Sequence, residues 1–367
     1  MKKYLELLQD IYTNGHDHDD RTGVGRRSIF GTQTRYKLSE GFPLVTTRKI
    51  FTRGMIEETL WFISGSHMTT ELKEKGVKIW DNWAVTEKDV ENYLKDVSGS
   101  EEENLKLKTL FTKVYEDSVG PMYGFHWRNT PRMDDDETYT VVDALTLEEL
   151  PKDKLERYKE SYEAFKTTEE YKITPDLSFE KYATNIYYTE SVDQLNDLII
   201  NLKKRPFSSR HVVTAWIPSL NAIEGISPQK NVLIGKGALS ACHCMFQCFV
   251  RPGDTPEAKK KLSLQVQVRS NDVPIGNPYN VSQYALLTHM LAHVTDMEPD
   301  ELVFTTGDTH IYKNQIPFVL EQLAREPRPL PKLWLNPEIK SIYDFTVNDI
   351  RIEGYDPHPV INYPIAI

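Results

Sequence analysis

Cysteine is scarce in this chain: three in 367 residues, Cys242, Cys244 and Cys248, all in one short stretch. An odd number so clustered argues against a secreted disulfide scaffold and for a reducing compartment. Long apolar runs are lacking too, and nothing approaches the ~20 residues a membrane span requires. The first ten residues interrupt their apolar positions with Glu6, Gln9 and Asp10, unlike a signal peptide. A cytoplasmic protein without a membrane partner is expected. Positive charge is in deficit, 44 Lys and Arg against 54 Asp and Glu, for a net charge of -10. That balance argues against nucleic acid or acidic lipid as a partner, since both need a basic surface. An anionic small substrate stays open, because a few arginines in one pocket can hold a phosphate whatever the overall charge. No internal repeat is present.

What the sequence does have is the composition of a globular enzyme, 39% hydrophobic and 27% charged, with length enough for a large core. Residues 1–14 place Leu5, Leu8, Ile11 and Tyr12 at helical spacing before Asn14-Gly15, and residues 53–64 do the same with Ile56, Leu60 and Ile63 before Gly65. Arg21-Thr-Gly-Val-Gly reads as a flexible loop. Strand signals fill residues 211–216, 242–250 and 262–269, the last alternating apolar and polar with period two. Residues 280–296 are apolar around the whole circumference, as in a buried helix. Residues 85–118, 129–190 and 225–237 are polar or highly charged and read as solvated surface insertions. The expectation is one α+β domain over residues 1–367, interrupted by insertions rather than divided by linkers.

Cys242 stands beside His243, and Arg269-Ser-Asn-Asp follows downstream. A free thiol, with a pKa of ~8.5, is mostly protonated at neutral pH and needs a nearby cation or donor to act as a nucleophile. Arg269 supplies one if the two strands are neighbours. A single buried cysteine is more often structural. Cys244 and Cys248 share the strand parity of Cys242. Metal binding is not expected, because Cys-His-Cys in one strand alternates between faces and lacks the second ligand pair of a zinc site. Glu58 lies in a helix among apolar neighbours, where burial would raise its pKa into the range of a general acid or base; an exposed helical Glu is the commoner fate.

Several motifs occur together: Ala241-Cys-His-Cys-Met-Phe-Gln, Arg269-Ser-Asn-Asp-Val-Pro-Ile-Gly-Asn-Pro-Tyr-Asn, Gly307-Asp-Thr-His-Ile-Tyr, Glu58-Thr-Leu-Trp-Phe, Ile79-Trp-Asp-Asn-Trp and Gly120-Pro-Met-Tyr-Gly. In order and spacing the chain resembles the thymidylate synthases over everything but the insertions. The resemblance implies that family's fold, a large mixed β-sheet packed by helices, with one sheet face forming a homodimer interface. It implies folate-dependent one-carbon transfer to C5 of dUMP with 5,10-methylenetetrahydrofolate as cosubstrate and no metal. Cys242 resembles the nucleophile that adds to C6; Glu58, Tyr123 and His243 resemble the proton-handling groups; Asp272 belongs both to the catalytic set and to the folate pocket.

Asn280 is where the resemblance places base recognition. Its amide can accept from uracil N3–H and donate to O4, whereas related deoxycytidylate hydroxymethylases carry Asp there. The residue could equally be the N-cap of the following helix. Arg21, Arg269 and Ser270 match phosphate ligands, and Arg210 matches an arginine reaching across from the partner subunit. Ser209 stands where the family usually has a second arginine, and Ala241 where it has proline. His310 and Tyr312 resemble the pair that binds the deoxyribose 3′-hydroxyl. Trp80, Trp83, Gly276 and Tyr279 resemble the rest of the folate pocket, although Trp and Tyr are more often plain core. Ala366 and Ile367 resemble a mobile tail that closes over the folate. The expected product is dTMP with dihydrofolate. A deoxyuridylate hydroxymethylase is the close rival, and an inactive nucleotide- or RNA-binding relative the distant one.

Overall fold

The computed structural model describes residues 1–20, 23–97, 101–131, 146–168, 171–172, 177–183 and 191–365. Six strands form the central sheet: β1 (His16–His18), β2 (Arg26–Lys37), β3 (Val212–Thr214), β4 (His243–Arg251), β5 (Lys261–Asp272) and β6 (Glu298–Tyr312). They lie side by side in the order β1-β2-β6-β5-β4-β3. Only β5 and β6 run parallel. The helices relevant here are α1 (Lys2–Asn14), α2 (Thr52–Ser64), α3 (Glu87–Val97), α4 (Glu101–Tyr115), α5 (Gly124–Arg128), α6 (Lys152–Phe165), α7 (Gln194–Lys204), α8 (Pro228–Leu233), α9 (Gly276–Val294) and α10 (Ile316–Leu323).

A parallel strand pair needs a crossover, and α9 makes it between β5 and β6. The alternation of β5 decides which sheet face that helix covers: Leu262, Leu264, Val266 and Val268 are buried, against α9. Leu286, Met290 and Leu291 of α9 are fully buried, because α2 closes over the side of α9 that the sheet does not reach. α2 stops at Gly65, whose φ of 78° is the left-handed conformation a helix-ending glycine adopts readily. On its other face the sheet presents Val212, Gln265, Gln267 and Phe249, the last 65% exposed. A second, smaller cluster joins Tyr4, Leu8 and Ile11 of α1 to Ile311 and Val319.

Two local expectations are corrected. β4 does not keep strict alternation: its pairing slips between His243, opposite Val268, and Met245, opposite Gln267. The extra residue is a β-bulge, so the parity that would put Cys242, Cys244 and Cys248 on one face fails; Cys248 is buried while Cys242 and Cys244 are half-buried. The central helix also begins earlier than residue 280, with Ile275 at the N-cap, so Asn280 lies inside it and does not cap it.

The charged segments are less solvated than their composition suggests. Val85, Val90 and Leu94, in or beside α3, are part of the main core, while Lys108 pairs with Glu87 and Glu91. A minority of apolar residues at helical spacing is enough to dock a helix whose other faces are charged. Within 129–190, α6 is held by Lys154, 3.4 Å from the buried Asp193 that also binds Arg128 at 2.7 Å. In 225–237, α8 places Gln229 Nε2 2.9 Å from the carbonyl of Asn82. No helix among the described residues is long and apolar enough to cross a membrane.

Candidate active site

Cys242 immediately precedes β4, where pairing with β5 brings it beside Arg269. The Arg269 N–H donates to the Cys242 carbonyl at 2.9 Å. Its guanidinium donates from Nε to the Ala241 carbonyl at 2.9 Å and from Nη2 to the Ser240 carbonyl at 2.8 Å, and lies 4.0 Å from Cys242 Sγ. The strand neighbourhood that Arg269 required is therefore present. From the other side the Cys242 N–H donates to the Tyr123 hydroxyl at 3.0 Å. Tyr123 has φ 37°, a strained value for a residue with a side chain, and burial pushes its phenol well above the usual range.

His243 stacks near Tyr123, with ring centroids 4.8 Å apart, and meets Tyr284 edge-on at 5.4 Å. Burial lowers its pKa to about 4, opposed by a hydrogen bond with Asn280. The ring is thus neutral at physiological pH and able to donate at one nitrogen and accept at the other. Its Nδ1 is buried with no partner among the described residues.

Glu58 projects from α2 into the same space. One carboxylate oxygen accepts from Trp80 Nε1 at 2.8 Å, the other from Gln283 Nε2 at 2.7 Å. Burial raises its pKa to about 7 against those two donors, so both protonation states are accessible near neutrality. Trp80 in turn sits 6.0 Å from Tyr123 and 5.7 Å from Trp83.

At the ends of β5 and β6 stand Ser270, Asp272, His310 and Tyr312, with Ser270 opposite Asp308 and Asp272 opposite His310. Burial pushes the Asp272 carboxyl up; it accepts from the Ile275 N–H at 3.2 Å and from Gln315 Nε2 at 3.3 Å. His310 lies 3.4 Å from Asp308, which Arg26 binds at 2.7 Å, and meets the Tyr312 ring edge-on at 5.1 Å. Gly276 opens α9, and a Cβ there would meet only the Asn280 amide, at 3.7 Å. Tyr279 accepts from the Phe51 N–H at 3.3 Å and lines a cleft of about 540 Å³ with Arg48, Phe51, Ile275 and Tyr363.

Arg210 does not join this group. It is exposed just before β3, where Val212 pairs with Gln247; that position lies about seven residues along β4 from Cys242, roughly 20 Å at strand rise. Arg21, Ala366 and Ile367 lie outside the described residues. Gln283 and Gln315 escaped the sequence reading. Gln315 links Asp272 to the chain end, donating also to the Pro364 carbonyl at 3.2 Å. A signal for Gln283 existed: it stands three residues after Asn280, on the same face of the helix. A larger cleft, of about 960 Å³, lies behind α2 against Arg128 and Tyr343 and is lined by none of the site residues above. Among the described residues no group of side chains could hold a metal ion. A family model described as thymidylate synthase matches residues 2–367 of the chain.

Proposed function

The chain belongs to the thymidylate synthase family, a family of transferases acting on dUMP with methylenetetrahydrofolate, and from that premise we propose reductive methylation of dUMP to dTMP, with dihydrofolate as coproduct. The observation that carries this reading is the hydrogen bond from the Trp80 indole to Glu58. It ties the group suited to moving protons to an aromatic surface suited to covering a flat reduced ring, so that proton transfer and water exclusion occur in one place.

The Cys242 thiolate, beside the Arg269 guanidinium, adds to C6 of the uracil, and the electron pair of the C5–C6 bond makes C5 a nucleophile. The methylene of the folate bonds to C5; loss of the C5 proton and departure of the folate nitrogen leave an exocyclic methylene on C5, and the tetrahydrofolate so released supplies the hydride, becoming dihydrofolate. Glu58, near its pKa at neutral pH, moves the protons that the substitution at C5 requires. When hydride reaches the exocyclic methylene the thiolate leaves and the ring double bond is restored. Asn280 reads the uracil edge, with His243 holding its amide. Arg269 and Ser270 take the phosphate, and Arg21, outside the described residues, is proposed as a further ligand; His310 and Tyr312 take the 3′-hydroxyl. The 540 Å³ cleft fits the folate: Phe51, Ile275, Tyr279 and Tyr363 give apolar walls, and Arg48, Lys49 and Arg53 offer cations for an acidic tail.

Because Arg210 is too far from its own Cys242, it serves the phosphate site of a second copy packed through the open sheet face, and the working unit is a homodimer. A Cys242→Ser variant tests the chemistry: turnover should fall below detection while dUMP affinity stays within a few-fold, since the hydroxyl occupies similar space but is a far weaker nucleophile. Near-normal turnover would remove Cys242 from the reaction.

A further inference from the structure

Asn280 and Gln283 are three residues apart in α9 and therefore neighbours on one helix face. The first faces His243 and holds up its pKa against burial; the second donates to Glu58 at 2.7 Å. Gln283 is 4% exposed. Burying an amide that deeply is unfavourable unless it is hydrogen-bonded, and its bond goes to Glu58. Three separate elements meet at this carboxylate: α2 carries it, the loop before α3 brings Trp80, and α9 brings Gln283.

Resting on the reading of Glu58 as the proton-moving group, we propose that Gln283 is a positioning residue of the reaction, fixing the plane of the Glu58 carboxylate and keeping its ionised form within reach. Each carboxylate oxygen has one N–H donor, from Trp80 and from Gln283. The indole N–H cannot accept a proton, and an amide NH2 cannot either. The proton that Glu58 handles is therefore exchanged with the substrate side of the site. The same helix face sets the base-reading amide, so α9 holds base recognition and proton transfer in one register.

Among the described residues, no charged side chain acts on Glu58 from the elements packed around it. Its pKa responds to burial, upward, and to its two donors, downward. Lys75 and Arg53 lie with Glu57 instead, and the titratable groups across the site, His243 and Tyr123, are held neutral by burial.

The test compares Gln283→Met, which keeps the volume and removes the donor, with the parent enzyme; Gln283→Leu replaces it if the Met variant does not fold. The acid limb of the kcat profile should move up by about one pH unit, the worth of a hydrogen bond to a charged group, with KM for dUMP changed less than about twofold. A substrate-free infrared titration of the Glu58 carboxyl, assigned by difference against Glu58→Gln, should show the same upward shift. A uniform loss of kcat with an unmoved limb would overturn the proposal, as would an infrared midpoint equal to the parent's. An infrared shift with no matching shift in the rate profile would overturn the role in the reaction. If the parent itself does not turn over dUMP, the functional reading fails and takes this role with it, whatever the infrared midpoint does.

Discussion

Glu58 is buried, has no ion pair among the described residues, and has its pKa raised by burial to about 7; stability and activity make opposing demands on it. Below the ordinary glutamate pKa of about 4.5 both folded and unfolded chains hold the proton, and the residue is neutral toward pH. Between that value and 7 the folded chain keeps a proton that the unfolded chain releases, and above 7 the folded state bears the full cost of a buried charge, about 3 kcal/mol. Glu58→Gln removes the titration. Its stability relative to the parent should therefore rise by about 2–3 kcal/mol between pH 5 and pH 8, read from denaturant melts at each pH, while turnover is lost. A stability difference independent of pH would show that the carboxyl is not desolvated in this way. Single residues of this kind were legible unevenly. Cys242 and Glu58 stood out through the motifs that carry the family resemblance; taken alone, a structural cysteine and an exposed helical glutamate were the commoner readings. Gln283 and Gln315 did not stand out, because an amide gains its role only from what the fold sets opposite it.

At the scale of elements, the distance between Glu58 and Tyr123 depends on how closely α5 approaches α2. Gly124, the first residue of α5, permits the contact: a Cβ there would lie 2.1 Å from the Phe62 carbonyl oxygen and 2.4 Å from the Phe62 Cα, both backbone atoms. Neither can step aside, so Gly124→Ala should push the two helices apart, lower stability by about 3 kcal/mol and reduce kcat. An unchanged thermal midpoint with unchanged kcat would mean that the helices do not touch there. Helices α2 and α9 and strand β5 were legible from periodicity, because each presents one unbroken pattern to one environment. The long strands β2 and β6 were not. β2 is almost wholly polar along Arg26-Arg-Ser-Ile-Phe-Gly-Thr-Gln-Thr-Arg-Tyr-Lys, since its neighbours are a thin helical cover on one part and an open face on another. The bulge in β4 was invisible for a different reason: it is defined by the partner strand, and only the pairing with β5 reveals the extra residue.

For the molecule as a whole, the proposed homodimer rests on the open sheet face and on the remoteness of Arg210 from its own Cys242. Chains carrying Cys242→Ala and chains carrying Arg210→Glu should each form inactive dimers, and an equal mixture after subunit exchange should recover about a quarter of parental activity, half the dimers having one complete site of two. No recovery in dimers shown to be mixed would contradict shared sites. The charged segments were recognisable as departures in composition; their anchoring was not, since it depends on single buried contacts such as Lys154 with Asp193. The central claim, reductive methylation with Trp80 and Glu58 acting in one dry site, is tested most directly by the products formed when the intact enzyme is supplied with dUMP and methylenetetrahydrofolate. Mass spectrometry of the nucleotide together with dihydrofolate absorbance should give dTMP and dihydrofolate in equal amounts; 5-hydroxymethyl-dUMP with no dihydrofolate would contradict the account.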